Sequence, residues 1–466
     1  MSRINIPFVG ASNKSRSVEV STQRSVNLFP ELDPLSGFQQ ALYLRPQLAS
    51  FSTAGSATIR GMATFGSLLF VVSGGTVYSI DSSGSATSRG NLLTSTGRVS
   101  IDQNATQLMF VDGTAGYIWD GSTLTQIADG DFPNGATQVV QFDGYFVVND
   151  PANPGRFYIS AYNNGTAWDA TEFATAERNP DGLLAMLVNE RELWLWGNAS
   201  TEVWYNAGAP DFPFEPVQSA FTEWGVGAAF SPAKINGNVY WLASPGIVLR
   251  ATGTRGERIS THAVETAIAG YADISDAFGY CLEWEGHLFY VLTFPTGNAT
   301  WVWDESSGLW HEWSSRGIGR FRGNAYALLG QIDYVGDYLD GNVYRLARDE
   351  NSDFGTPIEC LREDRHILAA GSRAPILHRA LEIKLAQGSG TATLNPQAML
   401  QWSDNGGHTW SNEHWRDIGL VGEYGQRCVW RGLGQSRDRV YRLKITDSVP
   451  RTIVSGYLDL EVGRNF

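Results

Sequence analysis

The chain of 466 residues is 42% hydrophobic and 18% charged, a balance that supports a buried core and excludes a disordered chain. Its net charge of −14 argues against a protein that grips nucleic acid through a broad basic face. Three cysteines, Cys281, Cys360 and Cys428, lie too far apart for a metal cluster or a disulfide framework, so we predict reduced thiols in the core.

The first segment, residues 1–55, is rich in Ser, Asn, Arg and Pro and shows little strand alternation. Two interpretations remain open: an arm or docking segment that orders on another subunit or domain, and an irregular lead-in wrapped on its own chain. Residues 1–7 lack the apolar core of a signal peptide, and no apolar run approaches the roughly 18 residues of a membrane span. We therefore expect a protein made and folded in a cytoplasm.

Residues 56–350 contain a recurring unit: an apolar-aromatic strand, a turn with Gly, Asn or Asp, and a second aromatic strand. The intervals between units run from 37 residues, between 108 and 145, to 49 residues, between 238 and 287. A period of about 40–50 residues is typical of four-stranded propeller blades. We predict a β-propeller of six or seven irregular blades. The first strands of the units begin near Leu68, Leu108, Tyr145, Glu192, Asn238, His287 and Gln331.

The clearest unit spans residues 181–205, where three apolar runs of about five to six residues alternate with two short turns. The turns carry Asn and Gly, which tolerate positive φ, and the strands are rich in Trp, Tyr, Val and Leu. This pattern predicts a three-stranded meander within one blade. We interpret its aromatic side chains, including Trp194 and Trp204, as blade packing and expect no catalytic residue among them.

One short helix is predicted inside the propeller region, because a capping residue precedes apolar residues at helical spacing. A glycine follows and can end the helix. We expect this helix on a rim of the propeller or between blades. The residues concerned are Ser260 or Thr261 as the cap, Val264, Ala267 and Ile268 as the apolar stripe, and Gly270 as the terminator.

Residues 351–466 change character again, with apolar and polar residues alternating in runs at 380–385, 398–402, 439–445 and 456–462. Alternation that leaves one polar face fits an antiparallel sandwich. We therefore predict a C-terminal β-sandwich domain, which the N-terminal segment could join. The whole chain is expected to be all-β.

The stretch from Trp402 to Trp410 resembles the Asp-box of sialidases and other propellers built from repeats. Ser403, Gly407, Thr409 and Trp410 match that motif, but Asn405 stands where the motif has Asp. The motif forms a hairpin turn by satisfying turn amides with side-chain oxygens, and it is not catalytic. A single copy therefore carries little weight for a glycosidase.

Catalytic chemistry is not indicated by the remaining patterns. Glycoside hydrolysis needs two carboxylates at a fixed separation in a cleft. Carboxylates that are neighbours in the sequence mostly lie in solvated turns. Seven His residues show no metal spacing, and no phosphate loop or nucleophile elbow occurs. We predict no enzyme, no catalytic residue, no cofactor and no metal. The carboxylate pairs considered are Asp304 with Glu305 and Glu283 with Glu285.

A basic cluster stands out in this acidic chain, with six cations and only Asp438 opposing them within 18 residues. One interpretation is a surface that docks an acidic partner or passes nucleic acid. The other is a solvent face of the last sheet that pairs partly with the acidic propeller, and the two remain open. The basic patch consists of Arg427, Arg431, Arg437, Arg439, Arg442 and Lys444.

Several short stretches together resemble one family, the packaged-DNA stabilisation proteins of short-tailed bacteriophages, also called tail hub or nozzle proteins. The resemblance runs over about residues 25–465 and departs most in the first 20 residues and in the loops. The stretches that carry it are residues 25–31, 44–46, 60–61, 97–101, 174–184, 201–206, 258–261 and 286–296.

This resemblance implies a structural protein of the virion tail without catalysis. It implies a homo-hexameric ring below the portal and its adaptor, which retains packaged DNA after packaging and forms the channel for DNA ejection. It further implies contacts with tail spikes, fibres or a tail needle, and with double-stranded DNA that passes without sequence-specific binding. The alternative function is a glycan-binding or glycan-cleaving propeller, either a tail depolymerase or a sialidase-like protein.

Overall fold

Short alternating runs of branched and aromatic residues, separated by turns with Gly and Asn, form strands throughout the chain because such side chains suit a pleated, half-buried surface. The predicted all-β class, with a propeller and an additional sandwich, is confirmed: the described residues form 44 strands and one helix of eight residues. Residues 33–39 of the predicted N-terminal segment and 464–466 of the predicted sandwich lie outside the described range. The computed structural model describes residues 2–6, 8–32, 40–176, 179, 181–369, 373–386, 388, 390–391 and 393–463.

The propeller is built from antiparallel four-stranded meanders. Six of them are separate sheets, and the meander of blade 6 continues into a larger sheet, so the topology gives seven blades. The strands are, for blade 1, Ile59–Phe65, Leu68–Ser73, Thr76–Ile80 and Ala86–Asn91; for blade 2, Ser100–Gln103, Leu108–Val111, Gly116–Trp119 and Leu124–Gln126; for blade 3, Val139–Phe142, Tyr145–Asn149, Arg156–Ala161 and Asn164–Thr175; for blade 4, Ala185–Asn189, Glu192–Trp196, Thr201–Asn206 and Phe214–Thr222; for blade 5, Ala233–Ile235, Asn238–Ala243, Ile247–Thr252 and Arg255–Arg258; for blade 6, Phe278–Trp284, His287–Phe294, Ala299–Asp304 and Leu309–Glu312; and for blade 7, Gly323–Leu329, Ile332–Asp337, Asn342–Ala347 and Gln47–Thr53.

The ring is closed by a strand from far away in the sequence. Gln47–Thr53 supplies the outer strand of blade 7 and runs antiparallel to Asn342–Ala347, with Gln47 opposite Ala347 and Thr53 opposite Asn342. Residues 47–53 belong to the segment that the sequence analysis assigned to the N-terminal arm. Closure by an early strand ties the first and last blades together, because the chain passes from this outer strand of blade 7 directly into the first strand of blade 1.

Blades are held together by aromatic side chains that interlock between neighbouring sheets. The rings of Trp194 and Trp196 of blade 4 stack at 5.6 Å, and Trp241 of blade 5 packs against them at 6.2 and 5.9 Å. On the other side of blade 4, Trp204 meets Phe157 of blade 3 edge-on at 5.2 Å. The tryptophans of the predicted meander are therefore blade packing, as expected.

The predicted helix forms at His262–Ala269, between the strands of blades 5 and 6. Thr261 is the N-cap, and its hydroxyl accepts a hydrogen bond from the backbone N–H of Val264 at 3.4 Å. Gly270 ends the helix with φ −81°, so the terminus does not use the left-handed conformation that glycine allows. Val264 and Ile268 bury the apolar stripe against the cores of the two blades.

Two sheets pack face to face to form the sandwich. Its core includes Leu28, Leu381, Trp430, Tyr441 and Leu458, which are all buried. The seven-stranded sheet contains Ser2–Ile6, Leu28–Leu32, Gln40–Leu44, Ile376–Leu385, Cys428–Arg431, Gln435–Ser436 and Thr452–Val462. The eleven-stranded sheet contains blade 6 together with Asn13–Lys14, Thr22–Val26, Cys360–Glu363, Ile367–Leu368, Gln397–Ser403, His414–Asp417 and Asp438–Ile445, while Ser352–Asp353 and Thr356–Pro357 pair separately.

The described part of the N-terminal segment packs on its own chain. Ser2–Ile6 pairs with Thr452–Val462 of the sandwich, and Thr22–Val26 pairs with Cys360–Glu363. Thr22–Val26 also runs parallel to Leu309–Glu312, the outer strand of blade 6, with Val26 opposite Glu312. This strand therefore lies between the propeller and the sandwich and makes one continuous sheet of both.

The junction between propeller and sandwich is built around buried Arg45. Its guanidinium donates to both carboxylate oxygens of Asp353, at 2.5 and 3.1 Å, and to Asn27 Oδ1 at 2.8 Å. It also donates to the carbonyl of Ser314, which follows blade 6, at 3.1 Å. Asn27 itself donates to the carbonyl of Glu359 at 2.8 Å. One guanidinium thus joins the N-terminal segment, blade 6 and the entry to the sandwich.

The buried side chain of His311 leads to a prediction about acid stability. Both of its ring nitrogens are buried without a hydrogen-bond partner, and burial lowers its pKa to about 3. The unfolded chain takes up a proton on His311 below pH ~6.5 and the folded chain does not, so the free energy of unfolding falls as the pH drops, by up to about 1.4 kcal/mol per pH unit.

His311→Phe is therefore expected to raise the free energy of unfolding by about 1–2 kcal/mol at pH 7, because two unsatisfied polar atoms leave the core. The gain should be larger at pH 5, because the variant no longer carries the proton-linked loss. Urea unfolding at the two pH values measures both effects. If the variant and the original chain lost the same free energy of unfolding between pH 7 and pH 5, proton uptake by His311 would not be the cause of the loss.

Candidate functional site

The innermost strand of each of the seven blades precedes the strand at which the sequence predicted the repeating unit to begin. These innermost strands surround a central channel with a volume of about 590 Å³. If the channel follows an inner strand of about five residues at roughly 3.3 Å per residue, the space open to the centres of water molecules is roughly 7 Å across. The major groove of a DNA duplex alone is about 12 Å wide, so a duplex does not fit through this channel. A path for double-stranded DNA would have to run outside the propeller of a single chain.

The channel wall carries charged groups of both signs. Asp102 accepts hydrogen bonds from the backbone N–H groups of Gln141 at 2.7 Å and Gln103 at 2.8 Å, and burial nevertheless raises its pKa to about 6. Lys234 donates to the carbonyl of Val188 at 2.5 Å, and burial lowers its pKa. Arg98 lies at the end of the channel where the inner strands begin.

The basic patch is largely offset by carboxylates. Arg427 donates to both oxygens of Glu382, at 2.7 and 2.5 Å, and buried Arg439 donates to both oxygens of Asp404, at 2.6 and 2.8 Å. The two members of the basic patch that share a strand with Arg439 are also paired with carboxylates. Arg442 contacts Glu363 at 2.5 Å and Lys444 contacts Glu413 at 3.3 Å.

Three members of the patch are exposed, Arg427, Arg431 and Arg437. Arg431 ends the strand Cys428–Arg431, and Arg437 donates to the carbonyl of Arg373 at 2.8 Å. Arg442 is half-buried and lies over the ring of Trp410 at 3.6 Å. The six side chains therefore do not form one continuous cationic surface, and a role of this patch in contacting a partner or DNA stays a prediction.

The first carboxylate pair considered for hydrolysis is structural. Asp304 is buried, lies 2.9 Å from the ring of His287, and accepts from the hydroxyl of Ser307 at 2.6 Å. Glu305 accepts from the indole of Trp303 at 2.8 Å and the hydroxyl of Tyr240 at 3.1 Å. Both carboxylates hold turns and blade contacts in place.

The second pair lies in a cleft of about 990 Å³ that blade 5 borders together with blades 6 and 7. Glu283 and Glu285 line this cleft beside Asp333, which accepts a hydrogen bond from Tyr326 at 2.7 Å. Burial raises the pKa of Asp333, and the nearby charge of Glu283 adds to this effect. This cleft is the place where the glycan alternative would have to act.

The motif resembling an Asp-box forms the expected hairpin turn, with Asn405 in the role of the usual Asp. Asn405 Oδ1 accepts from the hydroxyl of Ser403 at 2.8 Å and from the backbone N–H of Thr409 at 2.9 Å. The Ser403 hydroxyl in turn accepts from the N–H of Gly407 at 2.8 Å. The turn lies in the sandwich and not in the propeller, so it gives no support to a sialidase-like propeller.

Cys281, Cys360 and Cys428 are buried and free, as predicted, and burial raises the pKa of Cys428 to about 12. Within the described residues, no group of three or more His, Cys, Asp or Glu is arranged to hold a metal ion. In the same residues, no helix is long and apolar enough to cross a membrane.

Sequence reasoning missed the channel residues Arg98, Asp102 and Lys234. They lie on two inner-strand regions, those of blades 2 and 5, and are separated by up to 136 positions in the chain, from 98 to 234. The blade period in the sequence does not show which strand of each blade is innermost. The closed ring in the structure shows it. Residues 97–101 contribute to the family resemblance, but their pattern does not indicate channel chemistry.

Two family models match the chain: bacteriophage P22 Gp10, beta-propeller, over residues 4–351, and bacteriophage P22 Gp10, beta-sandwich, over residues 366–461. No curated protein matches it. Similar solved structures include the WD40 beta propeller domain of Doa1, with 12% identity, 65% of this chain and 97% of that chain covered and a TM-score of 0.43. BamB from Moraxella catarrhalis shows 10% identity, 75% and 97% coverage and a TM-score of 0.41.

The computationally designed Ika8 protein is also similar, with 11% identity, 64% of this chain and 99% of that chain covered and a TM-score of 0.39. All three TM-scores lie below 0.5, so the assignment rests on the family models alone. These models match the propeller and the sandwich in the order in which the chain presents them. The chain therefore belongs to the bacteriophage P22 Gp10 family, as its resemblance to packaged-DNA stabilisation proteins predicted.

Proposed function

We propose that this chain is a structural protein of a short-tailed phage tail that stabilises packaged DNA. The observation that carries the proposal is the match of both domains to the P22 Gp10 family, from residue 4 to 351 and from 366 to 461. The fold supports a structural role, since the N-terminal segment, propeller and sandwich are joined through one continuous sheet and the buried Arg45 junction.

The finer proposal is a ring of six copies below the portal adaptor, with the DNA path between the copies. The narrow channel of a single propeller supports this arrangement, because a duplex needs a wider passage. The net charge of −14 also supports it, since a passage with few phosphate contacts lets DNA slide without adhesion. Tail spikes, fibres or a needle are proposed as further partners of this ring in the virion.

Electron microscopy of purified particles, together with a null mutant, tests the proposal. We expect six copies of this chain on the tail axis, and we expect particles without it to lose their packaged DNA. Re-expression of the chain from a plasmid should restore DNA retention. Infectious particles that keep their DNA without this chain would overturn the proposed function, and a different copy number would overturn only the ring of six.

The glycan alternative retains one supporting observation, the cleft that places Glu283 and Glu285 beside Asp333. A raised pKa on one carboxyl beside a second carboxylate is the arrangement that acid–base hydrolysis uses. Incubation of the purified chain and of Asp333→Asn with host polysaccharide tests it. Cleavage by the original chain alone would favour the enzyme, and the absence of both cleavage and binding would remove the glycan alternative.

A further inference from the structure

At one mouth of the central channel, a cluster of hydrogen-bond donors lacks an anionic partner. Arg98 donates to the carbonyl of Asn324 at 2.7 Å and lies over the ring of Phe278 at 3.9 Å. Among the described residues, no carboxylate forms a salt bridge with it. Burial and the charge of Arg320 lower the pKa of Arg98 to about 9, so it remains a cation at pH 7.

Tyr280 adds a second donor to the same channel wall. Its side chain is only 8% exposed, and its hydroxyl has no hydrogen-bond partner. The ring is held in place by parallel stacking on Tyr326, with centroids 5.2 Å apart and an interplanar angle of 7°. Burial raises the pKa of Tyr280, so the hydroxyl keeps its proton and can donate.

Arg320 strengthens the positive field at this mouth. It is 8% exposed, its guanidinium lies over the ring of Tyr338 at 3.6 Å, and its Nη1 atom has no hydrogen-bond partner. Buried donors without acceptors are uncommon in folded proteins because each one has lost its hydration without a replacement. Arg320 is acted on by the nearby charges of Asp276 and Asp337, so the donors on the channel wall that call for an acceptor are the Tyr280 hydroxyl and the Arg98 guanidinium.

We propose that the Arg98 end of the central channel binds a phosphate-type oxyanion, with Arg98 and Tyr280 as its direct donors. A tetrahedral oxyanion offers several acceptor oxygens to a planar guanidinium and a neighbouring hydroxyl. The carboxylate of Asp102, which follows Arg98 on the inner strand of blade 2, already accepts hydrogen bonds from two backbone N–H groups. The narrow bore admits free phosphate or the terminal phosphate of a single strand and excludes a duplex.

Calorimetric titration of the full-length chain with inorganic phosphate tests this site. We expect saturable binding of one phosphate per chain, with Arg98→Gln abolishing it. Tyr280→Phe should weaken binding about tenfold, because a hydrogen bond to a charged group is lost. Arg255→Gln, on the exposed outer strand of blade 5, is the matched control and should bind as the original chain does.

Tyr280→Phe keeps the test independent of folding, because it removes only an unpartnered hydroxyl and leaves the stacked ring. Its unfolding temperature should equal or exceed that of the original chain, because a buried hydroxyl without a partner is removed. A second arm compares a single-stranded oligothymidylate with and without a 5′-phosphate, which separates free phosphate from a nucleic-acid phosphate as the source. Binding that does not saturate, or equal binding by the original chain and both channel variants, would overturn the proposed site.

Discussion

Replacing Arg45 with alanine is expected to lower the free energy of unfolding by about 3–5 kcal/mol, the usual effect of removing one partner from a buried ion pair. Arg45 is 0% exposed and holds Asp353 through two hydrogen bonds of 2.5 and 3.1 Å. Its loss leaves that carboxylate buried, and it also removes the donors to Asn27 and Ser314. Chemical denaturation followed by tryptophan fluorescence measures the change.

Arg379→Ala is the matched control for this prediction. Arg379 also pairs with a carboxylate, Glu461, at 2.7 Å, but both side chains are substantially exposed, at 44% and 36%. Exposed pairs contribute little, so we expect a loss below about 1 kcal/mol. Limited proteolysis should show earlier cleavage between propeller and sandwich in Arg45→Ala alone. Similar small losses in both variants would mean that the Arg45 junction does not stabilise the contact between the domains.

Truncating Trp194 or Trp204 to alanine is expected to cost about 3–5 kcal/mol each, because a large buried side chain leaves a cavity. Trp194 is 1% exposed and packs on blade 5, whereas Trp204 is 6% exposed and packs on blade 3. The two substitutions therefore loosen opposite faces of blade 4. Thermal unfolding and urea titration measure both losses.

Trp415→Ala provides the control on the same residue type. Its side chain is 49% exposed on the edge strand His414–Asp417 of the sandwich, so its removal creates no buried cavity. We expect a change within about 0.5 kcal/mol. If Trp194→Ala and Trp204→Ala unfolded at the same temperature as the Trp415 variant, the blade packing described for residues 181–205 would be wrong.

Local patterns in the sequence were sufficient for the elements themselves. The alternation in 181–205 predicted the three strands that form, and Thr261 and Gly270 bracket the helix that forms between them. The family resemblance was also readable from short stretches, and the family models confirm it over most of the chain. These inferences succeeded because hydrophobic period, turn residues and caps act over only a few positions.

The candidate sites could not be read in the same way. The sequence left open whether the basic patch is a docking surface or a partly paired solvent face. In the structure, strand alternation turns Arg439 into the core and leaves Arg442 half-buried on the opposite face. The offsetting carboxylates come from distant positions, including Glu382 and Glu363. Charge counted along a chain does not give the field at a surface, because pairing partners are set by the fold.

By itself, the sequence determined the all-β class, the blade period, the C-terminal sandwich and the family. Only the tertiary structure decided that Gln47–Thr53 closes the ring, that the N-terminal strands complete the sandwich, and that Arg98 and Tyr280 meet in one channel. The physical reason is the range of the interactions involved. Strands and turns form from neighbours in the chain, whereas closure, ion pairing and channel chemistry depend on contacts between residues tens to hundreds of positions apart.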